Sequence, residues 1–292
     1  MEKVKNFFSL KRFIIFLIFF TLIITGVLLY SRYIGTSGLN IKEYRLTYKK
    51  LSNDFYGLKI AHLSDIHYGR TVHKKELEKI KKEINLMKPD IIVFTGDLID
   101  KDTKLNSNDI KVLNDFLNGM EANIGKYAIT GNHDHMFSNY DIILENGGFI
   151  NLNNTYDLIY TNSTEYILLA GVSTNVYGKK TINEKLEETF TYMEKTEIKP
   201  NFTILLMHEP DFIDEIDYSK FNLVLAGHSH NGQVRLPLIG AIFKPNYAKK
   251  YYDEHYKIKN TDLYISSGIG VSEVNFRLFN RPSFNLYRLT NR

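Results

Sequence analysis

Five short polar clusters, each directly after an apolar run, hold the side chains of this 292-residue chain that could do chemistry. They are Asp65 and His67 in LSDIH, Asp97 in FTGDL, Asn132 and His133 in TGNHD, His208 in LLMHE, and His228 and His230 in AGHSH. Carboxylate, amide and imidazole groups supply the oxygen and nitrogen ligands of divalent metal ions. The chain has no cysteine, which excludes thiolate ligands, disulfides and a cysteine nucleophile. The clusters therefore predict a metal-dependent hydrolytic site.

The spacing inside the clusters bears on how ions are shared. Asp65 and His67 are two residues apart, so in an extended segment both side chains point to the same side and can bind one ion. His228 and His230 have the same spacing but could serve different ions. The carboxylate of Asp97 can bridge two cations because each of its oxygens has spare lone pairs.

The segments that must position these clusters alternate between strand and helix patterns from residue 58 onward. The strands predicted before the clusters are LKIAHLS, DIIVFTG, KYAIT, FTILLM and FNLVLA, and further strands are TYDLIY, EYILLAG, DLYISSG and SFNLYRLT. The predicted helices are HKKELEKIKKEINLMK, NDIKVLNDFLNG, YDIILENGG and INEKLEETFTYMEK. This alternation predicts an α/β fold with sheets covered by helices. Ligands of open α/β sheets bind beyond the carboxyl ends of strands, so we expect the clusters to converge at one edge.

An uncharged, almost wholly apolar segment spans residues 13–30. At a rise of 1.5 Å per residue it nearly crosses a hydrocarbon core of ~30 Å, which predicts a transmembrane helix over 13–33. A cleaved signal peptide is the alternative, but the apolar run exceeds the ~7–15 residues usual for one and no A-x-A-like site follows. Lysines and arginines before the helix outnumber those behind it: Lys3, Lys5, Lys11 and Arg12 precede it, and Arg32 and Lys42 follow. This bias predicts a single-pass protein of the cell membrane with residues 1–12 in the cytoplasm and an extracytoplasmic catalytic part.

The remaining chain divides into a linker with an edge strand over 34–50 and one domain over 51–292. Its 43% hydrophobic and 24% charged residues are ordinary for a globular protein, and the formal net charge is only +4. A nucleic-acid-processing enzyme would need a basic groove, whereas the basic helix near Lys74 is typical of a solvated face. We therefore expect no nucleic-acid partner.

Taken in order, D-x-H, G-D, G-N-H-D, a lone H and G-H-x-H resemble the motifs of the calcineurin-like metallophosphoesterase family, over about residues 58–290. The segment GHSHNGQVRLP and the N-terminal apolar helix resemble its membrane-anchored bacterial YkuE-like branch. The resemblance implies a two-sheet β-sandwich flanked by helices. Asn231 stands where that branch has glycine, a departure outside the ligand set that bears on substrate fit.

The resemblance also implies roles for individual residues. The first metal would be held by Asp65, His67 and His230, the second by Asn132, His208 and His228, with Asp97 bridging both. His133 would be the catalytic histidine, and the adjacent Asp134 could orient or stabilise its imidazole. Imidazole and carboxylate ligands without sulfur suit two manganese, iron or zinc ions.

Two neighbouring cations lower the pKa of a water molecule and stabilise the charge of an in-line displacement at phosphorus. The predicted reaction is hydrolysis of a phosphate ester by a metal-activated hydroxide, with His133 protonating the leaving oxygen or stabilising phosphoryl charge. Phosphodiesters, phosphomonoesters and pyrophosphates are all open as substrates. Proximity to the membrane favours lipid-linked or cell-wall substrates. The alternative is a non-catalytic metal-binding scaffold that keeps the same fold.

One further segment, 236–256, mixes apolar, aromatic and basic residues directly after the last cluster. It forms either a lip that meets a lipid headgroup or wall polymer, or a hairpin packed on the core. His62, His73 and His255 fit no motif and are expected to have structural or surface roles.

Overall fold

The apolar runs that precede the polar clusters form strands in a computed structural model that describes residues 2–161, 163–195 and 199–292. The α-helices are α1 Glu2–Leu29, α2 Lys74–Met87, α3 Ser107–Asn118, α4 Tyr140–Asn146 and α5 Ile182–Lys195. The first strands are β1 Asn40–Thr47, β2 Lys59–Leu63, β3 Ile91–Phe94, β4 Gly125–Ala128, β5 Ile150–Asn151, β6 Thr155–Tyr160 and β7 Tyr166–Gly171. The others are β8 Phe202–Leu206, β9 Leu223–Ala226, β10 Arg235–Leu236, β11 Gly240–Ala241, β12 His255–Ile258, β13 Thr261–Ile265 and β14 Ser283–Thr290.

Two six-stranded sheets contain all of these strands except β10 and β11, which pair as a small hairpin. The first sheet has the order β1-β14-β2-β3-β4-β5, and the second has the order β12-β13-β9-β8-β7-β6. Neighbours are parallel from β2 to β5 and from β13 through β9 and β8 to β7. Parallel order aligns the carboxyl ends of the strands that carry the polar clusters.

Alternating side chains place each sheet between two apolar layers. In β3, Ile91 and Val93 pack between the sheets, whereas Ile92 and Phe94 face the cluster that contains α2 and α3 residues. Such alternation follows from the two-residue period of a strand. The second sheet likewise packs its outer face against residues of α5 and of the segment that follows β8. The predicted two-sheet sandwich flanked by helices is therefore confirmed.

The N-terminal helix is longer than the apolar segment alone. It begins at Glu2, because lysine and glutamate favour helix as much as leucine does, and continues through a wider turn over Tyr30–Ile34. Within the described residues, Leu10–Ile34 is the one helix long and apolar enough to cross a membrane. Five residues, 35–39, separate this turn from β1, and the backbone N–H of Arg277 donates to the carbonyl of Ser31 at 3.0 Å. The helix end therefore rests directly on the catalytic domain.

His62, which fits no motif, is a buried part of the core of the first sheet. Its ring nitrogens lie 2.9 Å from Oγ1 of Thr95 and 3.3 Å from the hydroxyl of Tyr287. Burial lowers the pKa of His62 to about 3, whereas an unfolded histidine has a pKa of about 6.5. At pH values between these two pKa values, only the unfolded chain binds a proton at His62. The free energy of unfolding therefore decreases as the pH falls below the pKa of the unfolded chain.

Between about pH 6.5 and 5, we expect this group to remove about 2 kcal/mol from the free energy of unfolding. Urea unfolding of the full chain in detergent at both pH values measures the loss. The variant His62→Gln should lose less unfolding free energy over this pH interval, because it lacks the contribution of the His62 imidazole. An equal loss in parent and variant would contradict the account.

Candidate metal centre

The predicted polar clusters meet at the mouth between the two sheets. Those after β2, β3 and β4 belong to the first sheet, and those after β8 and β9 belong to the second. Backbone hydrogen bonds tie the tips together, since Asp65 N–H donates to the Gly96 carbonyl at 2.9 Å and Gly227 N–H donates to the His208 carbonyl at 3.1 Å. The convergence expected at one edge thus occurs, with contributions from both sheets.

One group of possible ligands consists of Asp65, His67 and His230. One ligand atom from each lies within 4.8 Å of the others, and all three side chains are buried. Nε2 of His67 is 3.0 Å from Nε2 of His230, which is 3.5 Å from a carboxylate oxygen of Asp65. These residues could hold one cation.

A second group consists of Asp97, His208 and His228, again with one ligand atom from each within 4.8 Å of the others. Oδ1 of Asn132 lies 3.1 Å from Nε2 of His208 and so adds an amide oxygen. Oδ2 of Asp97 is 3.3 Å from Nε2 of His208 and 3.7 Å from Nε2 of His67. This oxygen therefore lies between the two groups.

The remaining ring nitrogens of the second group have fixed backbone partners. Nδ1 of His208 is 2.6 Å from the Thr95 carbonyl, and Nε2 of His228 is 2.7 Å from the Asn246 carbonyl. A ring N–H donated to a carbonyl leaves the other nitrogen with a free lone pair. Two imidazoles presented in this way, with carboxylate and amide oxygens beside them, fit divalent cations.

His133 lies beside the first group, with its ring centroid 4.6 Å from that of His67. Its Nδ1 accepts a hydrogen bond from the backbone N–H of Lys101 at 3.2 Å and lies 3.9 Å from a carboxylate oxygen of Asp100. The same carboxylate is 3.4 Å from Nδ1 of His67 and also pairs with Arg70. Asp100 therefore lies beside both imidazoles, and with them it forms a third group of possible ligand atoms within 4.8 Å of one another. Sequence reasoning missed it, although an acidic residue three positions after Asp97 in GDLID was available as a signal.

The expectation that Asp134 orients His133 is not met among the hydrogen bonds of the described residues. The Asp134 carboxylate instead accepts backbone N–H groups at 2.6–3.2 Å, from Asp97, Leu98, Ile99 and Gly131. Neighbours in sequence point apart here because His133 and Asp134 enter a short helical turn. Asp134 therefore fixes the loop that carries Asp97.

Several possible ligands have left-handed backbone conformations. The φ angles are 53° at Asp65, 48° at His67, 60° at Asp97, 65° at His228 and 47° at His230. A non-glycine residue in this region costs on the order of 1 kcal/mol, and such strain concentrates at functional sites. The hydrogen bonds between the loops hold the residues in this conformation.

The same conformation accounts for Asn231, where the resemblance leads one to expect glycine. Its φ is 50°, and asparagine tolerates the left-handed region better than other non-glycine residues do. Its side chain contacts Arg235 at 2.7 Å and Glu254 at 3.2 Å. The substitution therefore preserves the turn, and its amide lies outside the groups of possible ligands.

Burial and mutual contacts shift the protonation of the centre. Burial lowers the pKa of His133 to about 4 and that of His230 well below its usual value. Burial also disfavours the charged form of His208, but the Asp97 carboxylate outweighs it and raises the pKa of His208 well above its usual value. For Asp97, burial opposes ionisation, yet His208 and the other imidazoles lower its pKa well below its usual value. Asp97 is therefore anionic.

Two glycines, Gly96 after β3 and Gly131 after β4, allow these loops to touch. A β-carbon at Gly131 would lie 2.5 Å from the backbone nitrogen of Asp97 and 2.9 Å from Cε1 of His208. We expect Gly131→Ala to displace both side chains and to reduce turnover at least about 100-fold, as a 1 Å misplacement does. Metal content and steady-state kinetics measure the effect. Gly26→Ala is a control, because no atom lies within 4 Å of a β-carbon there and the residue has helical backbone; equal activity of the two variants would contradict this packing argument.

A cleft of about 370 Å³ adjoins the centre on the side of Asp134. Its lining includes His135, whose ring stacks on that of Tyr177 with centroids 5.3 Å apart, and Lys185. The amine of Lys185 donates to the Thr174 carbonyl at 3.0 Å. His135 therefore lines the neighbouring cleft and does not contribute to either group of possible ligands.

Comparison with known proteins places this geometry in a family. The family model described as calcineurin-like phosphoesterase matches residues 58–232, more than half of the chain. The uncharacterized metallophosphoesterase YkuE of Bacillus subtilis is 31% identical over 89% of this chain and 88% of its own length. The uncharacterized metallophosphoesterase YkoQ of the same organism is 28% identical over 80% of this chain and 83% of its own length.

A third relative, from Danio rerio, is named transmembrane protein with metallophosphoesterase domain. It is 27% identical over 89% of this chain, which spans 60% of that relative's length. The matched segment contains all five polar clusters up to His230 and the groups built from them. The chain therefore belongs to the calcineurin-like phosphoesterase family, in its YkuE-type branch, and is a metal-dependent hydrolase.

Proposed function

We propose that this protein is a membrane-anchored phosphoesterase with two metal ions, which hydrolyses phosphate esters of lipid-linked or cell-envelope molecules. The observation that carries the proposal is the position of Asp97. Its anionic carboxylate lies between two groups of ligand atoms, buried except for the half-buried His228, that converge from both sheets. A single-ion site would not require this second group.

The two groups suggest how the ions are divided. The first ion is assigned to Asp65, His67 and His230, and the second to Asn132, His208 and His228, with Asp97 shared. Close approach of ligand atoms within each group supports this division. When bound, manganese, iron or zinc ions would lower the pKa of water and stabilise negative charge on the phosphoryl group.

Residues of the chain would then orient the ester and supply the proton for its leaving oxygen. Nδ1 of His133 accepts the Lys101 N–H, so a neutral His133 carries its proton on Nε2. This N–H is a donor that could stabilise phosphoryl charge or protonate the leaving oxygen. Arg70 pairs with Asp100, whose carboxylate lies beside His133. Four backbone N–H groups hold Asp134, which fixes the loop of Asp97.

Membrane anchoring is supported by the helix over Leu10–Ile34, whose apolar side chains are exposed, and by relatives named as transmembrane proteins. The basic residues before the helix favour a cytoplasmic N-terminus and an extracytoplasmic catalytic domain. In that arrangement the centre faces the outer side of the membrane. Esters of lipids and wall polymers are then nearer to it than cytoplasmic nucleotides are.

The orientation predicts a pattern of cysteine labelling, because the chain has no cysteine of its own. In intact cells, a membrane-impermeant maleimide should label Glu145→Cys, an exposed position in α4. Lys5→Cys should be labelled only after the cells are permeabilised. The reverse pattern would contradict the orientation and would favour cytoplasmic substrates.

Substrate class is tested with the full chain reconstituted in lipid vesicles and supplied with manganese, zinc or iron. The probes are phosphatidylglycerol as a diester, phosphatidic acid as a monoester and CDP-diacylglycerol as a pyrophosphate. We expect one of them to be turned over faster than water-soluble nucleotides carrying the same bond. Faster turnover of the soluble nucleotides throughout would reject a lipid-linked substrate.

A further inference from the structure

Large apolar side chains are exposed next to the metal centre. We name residues 236–247 together with Phe279 the apolar lip. Leu238 at the tip of the β10–β11 hairpin is fully exposed, and Ile239, Ile242, Phe243 and Phe279 are each more than half exposed. A contiguous exposed apolar patch marks an interaction surface or a membrane contact.

The lip is attached to two of the possible metal ligands. The Asn246 carbonyl lies 2.7 Å from Nε2 of His228, and Nδ2 of Asn280 donates to the His230 carbonyl at 2.6 Å. Asn246 belongs to the lip and Asn280 directly follows Phe279. The two contacts therefore fix the distance of the lip from the centre. Whatever surface covers the lip must therefore lie beside the centre.

The lip also adjoins the end of the N-terminal helix. The backbone N–H of Arg235, at the start of the hairpin, donates to the Leu278 carbonyl at 3.0 Å. One residue earlier, the N–H of Arg277 donates to the Ser31 carbonyl, and Gly35 packs against the Arg277 carbonyl. A single short segment, 275–278, therefore separates the apolar lip from the apolar helix.

The charges of the lip suit a lipid surface. Residues 236–247, LPLIGAIFKPNY, contain Lys244 but no acidic residue. Arg235, just before them, is paired with Asp253 at 2.7 Å. Lys244 holds its ammonium 3.6 Å from the ring centroid of Tyr252, and Lys249 is exposed just beyond. Apolar side chains flanked by basic residues are typical of segments that enter the interface of an anionic bilayer.

We propose that the apolar lip enters the same leaflet from which the N-terminal helix emerges, so that two contacts hold the metal centre against the lipid headgroups. The inference rests on the membrane anchoring proposed above and deepens it. An ester whose phosphorus sits at headgroup depth could then reach the centre while its acyl chains stay in the bilayer.

The absence of tryptophan from the chain provides a test. The full-length variant Leu238→Trp carries one indole fluorophore at the tip of the lip. Leu86→Trp is the matched control, because this exposed leucine precedes Met87, whose carbonyl accepts from the Lys59 amine at the opposite end of the first sheet. Both variants are reconstituted in vesicles of phosphatidylcholine and phosphatidylglycerol, with and without bromine on the acyl chains.

We expect brominated lipid to reduce the indole emission of Leu238→Trp at least about two-fold, as for an interfacially buried side chain, and to leave that of Leu86→Trp unchanged. Equal emission of the Leu238→Trp variant in both lipids overturns the proposal. A blue shift that bromine does not quench also overturns it, since another protein surface would then cover the lip.

Flotation of the same samples after alkaline washing distinguishes failure of the lip contact from failure of the anchoring proposal. A chain that leaves the vesicles contradicts the anchoring proposal itself. A retained chain whose indole at the tip of the lip is unquenched contradicts the lip contact alone.

Discussion

Replacing Asp97 with alanine is expected to reduce turnover at least about 1,000-fold, because loss of a central anionic group in a charged site removes several kcal/mol of transition-state stabilisation. Metal content should fall below the two ions proposed for the parent. The reason is that Oδ2 of Asp97 lies within 3.7 Å of both His67 and His208, one from each group. Elemental analysis and steady-state kinetics on the full chain measure the two effects.

Two companion variants make this result specific. Asp97→Asn keeps an oxygen that can accept the backbone N–H of His133, as Oδ1 does at 2.9 Å, but removes the charge. It should lose activity while retaining the fold. Asp115→Ala changes an exposed carboxylate of α3 and should leave activity and metal content unchanged. Full metal content in Asp97→Ala would show that this carboxylate bridges nothing.

Replacing His133 with alanine is expected to leave metal content near that of the parent and to reduce turnover by about 100- to 10,000-fold. His133 is buried beside His67 and shares a group of possible ligand atoms with His67 and Asp100, but it belongs to neither of the two groups assigned to the ions. Its loss therefore removes a proton donor and leaves the assigned ligands in place. Parallel loss of metal and activity would identify His133 as a ligand and overturn its proposed role.

The neighbouring histidine provides the control for this experiment. His135 lies two residues further along the same loop, is exposed and stacks on Tyr177. His135→Ala should therefore retain turnover of a small ester to within a few-fold. Asp100→Asn should resemble a weakened His133 variant, because it removes a negative charge 3.4 Å from Nδ1 of His67 and 3.9 Å from Nδ1 of His133.

The sequence predicts the strands, the helices and the convergence of the five clusters, because each depends on local periodicity and on the parallel order of strands. The pairing of Asp65 with His67 was argued from an extended tip, whereas both residues have left-handed φ angles. They nevertheless fall in one group. Their closeness therefore depends on contacts between loops and not on an extended strand tip.

What the sequence does not predict depends on contacts between distant segments. Asp134 was assigned to His133 because they are neighbours in the chain, yet Asp100 lies closer to that imidazole. Arg277 belongs to no motif, but it is fully buried and donates to the carbonyls of Ser267 and Gly270 behind His230. Periodicity gives no indication of such contacts, because they join loops far apart in sequence.

The most direct test of the account is metal-restored hydrolysis by the full chain. The protein is stripped of metal and supplied in turn with manganese, zinc and iron, and hydrolysis of bis-p-nitrophenyl phosphate and p-nitrophenyl phosphate is followed beside Asp97→Ala. The account predicts that turnover disappears on stripping, returns with two bound ions per chain and stays absent in the variant. Turnover that survives stripping, or that metal restores equally in Asp97→Ala, would contradict it.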